Sequence, residues 1–189
     1  MVENKQHMSF SLEGLLKQVE GQRYPPVDKW NPDFCGDIDM RIASDGTWFY
    51  MGTPITRDRM VKLFSSVLRK DADDKTYLVT PVEKIGITVD DAHFVAVRVD
   101  VEEETLVFTT NVGDKVAVDA SHPISVHIDE TTEEPRPYVR VRGNLDALIA
   151  RPVFYELVER AHEVKNEDKT ELVISSAGCD FSLGVWSAE

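Results

Sequence analysis

The sequence predicts an α+β protein made of two related domains, each mainly antiparallel sheet with one helix, the second larger than the first. Three observations predict it. Short alternating apolar and polar segments recur between turn residues, two amphipathic helices interrupt them, and one helix-to-strand segment matches another 94 residues further on. With 189 residues, 42% of them apolar, the chain can bury one ample core or two small ones.

The first element is a short helix over residues 11–20, where Leu12, Leu15, Leu16 and Val19 keep helical spacing and Gly21, Pro25 and Pro26 end it. The run RYPPVDKWNPDFCGD follows, and with Tyr24, Trp30 and Phe34 to bury it reads as a strap across a core. In DIDMRIASDGTWFYMG, Asp45 and Gly46 signal a two-residue hairpin turn. That turn sets Ile42 opposite Phe49 and Met40 opposite Met51 on a core face, leaving Asp39, Arg41, Trp48 and Tyr50 on the other. Thr56 then offers an N-cap, and Met60, Leu63, Phe64, Val67 and Leu68 form a helical stripe. The turn DADD and the strand TYLVTPV complete a first domain over residues 1–83.

From Lys84 strands dominate: KIGITV, HFVAVRVDV, TLVFTTN, KVAVDA, PISVHI and PYVRVRG, each bounded by turn residues. A helix over residues 152–163 and two last strands, ELVISS and FSLGVW, complete a second domain over residues 84–189 with seven to eight strands.

The internal match runs without a gap from Ile55–Val79 onto Ile149–Val173. It pairs Ile55 with Ile149, Arg57 with Arg151, Leu63 with Leu157, Lys75 with Lys169, Thr76 with Thr170, Leu78 with Leu172 and Val79 with Val173. Leucine and valine fill helix stripes and buried strands everywhere, so their agreement alone means little. The arginines and the Lys-Thr pair do not follow from patterning, which favours duplication.

IDMRI, DGTWFYMGTPI, LVTPVEK, TTN, YVRVR and RPVFYELV together cover most of the chain and resemble a bacterial family, domain of unknown function 1285. The resemblance implies two related domains, each a sheet or partial barrel with a capping helix, the second similar to pleckstrin homology folds. It also implies a site between the domains for a nucleotide-like ligand and a role in signal transduction.

A formal charge of −13 repels phosphate backbones and anionic lipid, so sequence-independent nucleic-acid binding is disfavoured. Screening over about 8 Å leaves room for one locally basic pocket. No segment reaches the roughly 18 apolar residues of a membrane span, and the expected location is the cytoplasm. Cys35 and Cys179 read as reduced thiols, a single disulfide between them staying open.

The candidate site residues are charged groups in unexpected places. Arg57 falls three residues before Met60 and seven before Phe64, on the apolar face and in the helical turn whose dipole disfavours cations; Arg151 repeats both features. Such a guanidinium needs either a carboxylate, such as Asp39 or Asp146, or an anionic ligand shared with helix N–H groups. Arg140 and Arg142 share one face of PYVRVRG, either as charges on a solvated edge or lining a cavity with Arg151, and Asn144 follows at the same mouth. Asp39, Arg41, Trp48 and Tyr50 form either a packing layer or a stacking surface for a planar ligand.

His122 and His127 fall on opposite faces of a strand, and DADDK lacks the glycine and third acid of a calcium loop, so no metal or cofactor is expected. His93 reads as a satisfied, partly buried histidine. No nucleophile motif or phosphate loop occurs in the sequence, and no catalytic residue is assigned. The first expectation is a binding or sensory protein that takes a small anionic, nucleotide-like ligand between its repeats. The second is a protein-interaction module using an edge strand. The third is a hydrolase on a phosphorylated substrate using Asp37 and Asp39 as acids, with metal-dependent turnover as its mark.

Overall fold

The computed structural model describes residues 24–165 and 168–187, and the helix expected over residues 11–20 lies outside them. After a short 3-10 turn, Val27–Lys29, come strands β1 (Phe34–Ile42), β2 (Trp48–Tyr50) and β3 (Thr53–Pro54), then helix α1 (Asp58–Ser66). Strands β4 (Leu68–Lys70), β5 (Thr76–Val79) and β6 (Lys84–Val89) follow. They make one six-stranded sheet in the order β3-β2-β1-β6-β5-β4. Its single parallel pair, β1 with β6, requires a crossover, which α1 and its flanking strands supply. Lys84–Val89, expected to open the second domain, therefore closes the first.

The second domain contains β7 (Phe94–Glu102), β8 (Thr105–Thr110), β9 (Lys115–Ala117), β10 (Ile124–Ile128), β11 (Pro135–Arg142) and β12 (Leu145–Ile149). These form a second six-stranded sheet, β10-β11-β12-β7-β8-β9, again with one parallel pair, β12 with β7. Helix α2 (Arg151–Arg160) leads into the antiparallel meander β13 (His162–Lys165), β14 (Lys169–Ser176), β15 (Cys179–Ser187). Ser176 ties this meander to the sheet, its hydroxyl donating to the Val118 carbonyl at 2.8 Å and accepting from the Leu106 N–H at 2.9 Å. The α+β, two-domain reading holds. The duplicated unit is α1-β4-β5 and α2-β13-β14: Thr76 and Thr170 are both buried near the start of a strand, and Leu63 and Leu157 both pack on the core.

The hairpin differs from the expected one. The Ala43 N–H donates to the Thr47 carbonyl and the Gly46 N–H to the Ala43 carbonyl, both at 2.9 Å, so the loop is Ser44-Asp45-Gly46. Asp45 Oδ1 accepts from the Thr47 N–H at 2.9 Å, and Gly46 takes a φ of +83°, the left-handed third position of a three-residue loop. The extra residue shifts the register, so Met40 faces Tyr50, Arg41 faces Phe49 and Ile42 faces Trp48. A shift of one exchanges the faces of a strand. Trp48 therefore enters the core, 1% exposed and stacked on Phe64 at 6.0 Å between ring centroids, and offers no surface to a ligand.

The helices are shorter than expected. Arg57, not Thr56, is the N-cap of α1, with extended backbone. At the other end the Ser65 and Ser66 hydroxyls donate to the carbonyls of Lys62 and Leu63 at 2.9 and 2.7 Å, competing with the helical ladder. Val67 and Leu68, expected on the helix stripe, are buried as the following turn and the start of β4. Helix α2 stops at Arg160, because Ala161 is extended and feeds β13.

One hydrophobic cluster runs through both domains, from Met40, Ile42, Trp48 and Phe64 to Phe94, Phe108, Leu145 and Leu157. The hairpin tip docks on the second domain so closely that a Cβ at Gly46 would lie 2.7 Å from Asn111 Nδ2 and 3.0 Å from Val95 Cγ2.

Candidate functional site

A cleft of about 650 Å³ opens between the domains. Its walls are the strap from Tyr24 to Asn31, β4 with the turn after it, and the β11–β12 turn from Arg142 to Leu145. Arg69 builds the first wall. Its NH1 donates to the carbonyls of Val27 and Trp30 at 2.9 and 2.7 Å, pinning the strap, while its Nε and NH2 bind both Asp71 oxygens at 2.6 and 3.2 Å. Lys84 reaches the same carboxylate at 2.5 Å. Burial pushes the Asp71 carboxyl up, but hydrogen bonds from Arg69 and Lys84 outweigh it and hold the group below the usual carboxylate range.

Arg142 builds the opposite wall. Its NH1 donates to Asp114 Oδ2 at 2.8 Å and its NH2 to the Ser65 carbonyl in the first domain, while the guanidinium lies 5.2 Å from the Tyr24 ring centroid and 5.0 Å from that of Phe94. The Tyr24 hydroxyl donates to the same Asp114 at 2.9 Å, fixing the start of the strap. Both arginines are thus engaged by the protein. Lys70 is freer, because its ion pair at 3.2 Å is to Asp74, a side chain 92% exposed and easily displaced. Asn31 and Asn144 are exposed and make no side-chain hydrogen bond to a described residue, and Trp30 lies half-buried beside them. Three basic and two acidic side chains line this cleft, on a chain whose net charge is −13.

The domains are joined by Asp90-Asp91-Ala92-His93, where neighbouring residues bind opposite domains. Asp90 pairs with Arg41 of β1, and Asp91 with Arg136 and, at 2.7 Å, the Tyr138 hydroxyl of β11. His93, 6% exposed, bridges both: Nε2 lies 3.0 Å from Thr76 Oγ1 in the first domain, and Nδ1 accepts the Asp146 N–H at 3.4 Å in the second. An Nδ1 that accepts leaves the ring proton on Nε2, which donates to Thr76. Burial pushes the imidazole pKa down, the Asp146 charge only partly opposes this, and the result is about 4.

The structure disperses the expected arginine set. Arg57 is exposed at its N-cap position, and its guanidinium has no partner among the described residues. Arg151, exposed at the start of α2, binds Glu134 at 2.7 Å beside a separate cavity of about 240 Å³. Neither lies on an apolar face, because each stands at the very start of its helix and turns to solvent. Arg140 binds Asp146 and the Gly143 carbonyl, and Arg41 binds Asp90 while lying 4.8 Å over the Phe49 ring. Asp39 and Tyr50 are exposed on the hairpin. Of the expected set, Arg142 lines the interdomain cleft, with Asn144 beside it.

Among the described residues no three His, Cys, Asp or Glu side chains are arranged to hold a metal, and Cys35 and Cys179 are both free. Sequence reasoning missed Trp30, Arg69 and Lys70 as site residues. They sit in a loop and in a three-residue strand without alternation, and they meet Arg142 only when the domains dock.

Fold and site define a two-domain α+β protein with a polar cleft of mixed charge between its domains. Residues 25–92 match the family model of the N-terminal domain of a domain of unknown function, DUF1285, and residues 93–183 match the model of its C-terminal domain. The chain belongs to the DUF1285 family, and the division falls within the linker, between Ala92 and His93. A crystal structure of a DUF1285 family protein from Silicibacter pomeroyi DSS-3 is 48% identical, covers 90% of this chain and 94% of its own, and superposes with a TM-score of 0.81. A second, from Shewanella baltica OS155, is 27% identical over 64% of this chain and 90% of its own, with a TM-score of 0.53. No curated protein matches the chain. No helix among the described residues is long and apolar enough to cross a membrane.

Proposed function

We propose that the chain is a ligand-binding protein that takes a small anionic, nucleotide-like ligand in the interdomain cleft and serves as a sensor of it. The observation that carries this reading is the cleft itself. Both domains and the strap wall it, and it gathers three basic side chains on an acidic chain. Lys70 supplies the exchangeable positive charge, Asn31 and Asn144 supply amide donors and acceptors, and Trp30 supplies a face for a planar group. Arg69 and Arg142 act as wall supports and contribute their field.

The test is thermal-shift screening of the full chain against nucleotides and phosphorylated metabolites. A ligand at a hundredfold excess over its dissociation constant adds about 2.7 kcal/mol of stability. Lys70→Ala is expected to abolish that shift while leaving the unliganded melt near the parent's, and Trp30→Ala to abolish it from a lower unliganded melt, since Trp30 packs against the core. A screen without any hit, or a hit indifferent to both variants, refutes the reading.

A further inference from the structure

A second cavity, of about 440 Å³, shares Lys70 with the interdomain cleft and has Asp37 in its lining. The pairing of β1 with β6 slips between Phe34 and Asp37 and again between Asp37 and Arg41, and Gly36 takes a φ of +102°. Bulges re-aim side chains and cluster beside functional sites. The Asp37 carboxylate rests over Gly86, where an added Cβ would overlap Oδ1. Asp37 is exposed and stands fourth in β1, so the two irregularities and the glycine beneath it place its carboxylate at the cavity and do not serve to bury it. Yet the Asp37 carboxylate makes no hydrogen bond or ion pair with a described residue.

The other charges of the cavity largely answer one another. Asp91 is held by Arg136 and Tyr138, His93 is bonded at both ring nitrogens, and the loose pair of Lys70 with Asp74 adds one charge of each sign. Beyond that pair the lining carries one carboxylate, on Asp37, and one ammonium, on Lys75, whose side chain has no partner among the described residues. Complementarity then asks for a ligand with one charge of each sign and none net. The volume falls within the range of about 300–1,000 Å³ usual for small-molecule pockets.

We propose that this cavity binds a zwitterionic ligand of amino-acid type, its ammonium on Asp37 and its carboxylate on Lys75. Thr76 and Thr88 line the same cavity and offer hydroxyls to the ligand's polar atoms. The site also gives Lys75 a use that the hydrophobic pattern of the duplicated segment leaves unexplained.

The experiment is calorimetric titration of the full chain with each proteinogenic α-amino acid, followed, for any that binds, by its N-acetyl and its amide derivative. At least one free amino acid is expected to bind, and both derivatives to bind more weakly by about tenfold or more, each having lost one charged contact. Asp37→Asn, which keeps shape and removes charge, and Lys75→Met are expected to weaken binding by a similar factor with the circular dichroism unchanged. Trp30→Ala, which alters only the interdomain cleft, should leave this binding intact. The proposal is overturned if no amino acid binds, if binding survives Asp37→Asn, or if Asp37→Asn abolishes it while Lys75→Met does not. Loss of binding in Trp30→Ala alone would also overturn it, by assigning the ligand to the other cleft.

Discussion

His93 gives the sharpest prediction about stability. The imidazole is neutral and bonded to one residue of each domain, and its pKa in the folded protein is about 4 against 6.5 for a free histidine. Between those values the unfolded chain holds a proton that the native protein excludes, so stability rises with pH across this window and falls as pH drops through it. A difference of about 2.5 units makes the loss about 3 kcal/mol on going from pH 7 to pH 4. Urea unfolding at closely spaced pH values measures it, with His93→Gln as reference so that the carboxylates titrating in the same range cancel. The parent's stability advantage over His93→Gln is expected to shrink by about that amount at pH 4. Two parallel curves would show that His93 is not held neutral by its surroundings and would sink the argument.

Three further outcomes follow from the packing. Gly46→Ala combines a left-handed backbone with a clash against Asn111 and should cost about 2 kcal/mol in chemical unfolding. Trp48→Ala empties a fully buried site against Phe64 and should cost about 3–5 kcal/mol by the same measurement, a small effect contradicting the observed register. Arg142→Ala strips Asp114 of its cation at a largely buried site and should cost about 2 kcal/mol, whereas Arg57→Ala should stay within about 0.5 kcal/mol of the parent. Equal effects from the two arginines would contradict their different surroundings.

The duplication was legible because charged and apolar positions repeat together, and Thr76 and Thr170 do prove equivalent in burial. The hairpin was legible in place but not in register. Asp-Gly serves both two- and three-residue loops, and the choice is made here by the Asp45 bond to Thr47 and by docking against Asn111. Strand β13 escaped notice because all four of its residues are exposed and carry no alternation. Arg57 and Arg151 drew attention through helical periodicity, but periodicity does not tell that Arg57 caps its helix and that Arg151 is the first residue of its own, where the side chain still turns to solvent. Arg142 and Asn144 were visible from the alternation of PYVRVRG, while Arg69 and Lys70 gained meaning only from tertiary contact.

The way the cleft is built limits how a ligand can be signalled. Rotation of one domain against the other would part a continuous core containing Trp48, Phe64, Phe94 and Phe108, and each buried aromatic so exposed costs on the order of 2–3 kcal/mol. The strap is held differently: two carbonyls bound by Arg69, the Tyr24 bond to Asp114, and the burial of one aliphatic side chain, Val27, with part of Trp30 attach it to both domains. These hydrogen bonds are worth roughly 1–3 kcal/mol each in net stability, and they can be broken one at a time. The strap is therefore the part of the cleft that moves at least cost. Ligand binding at Lys70 and Trp30 should slow amide hydrogen exchange from Val27 to Asn31 while leaving β7 and β8 unchanged. Slowed exchange spread evenly over both sheets would mean that the domains themselves rearrange, and the argument from the shared core would fail.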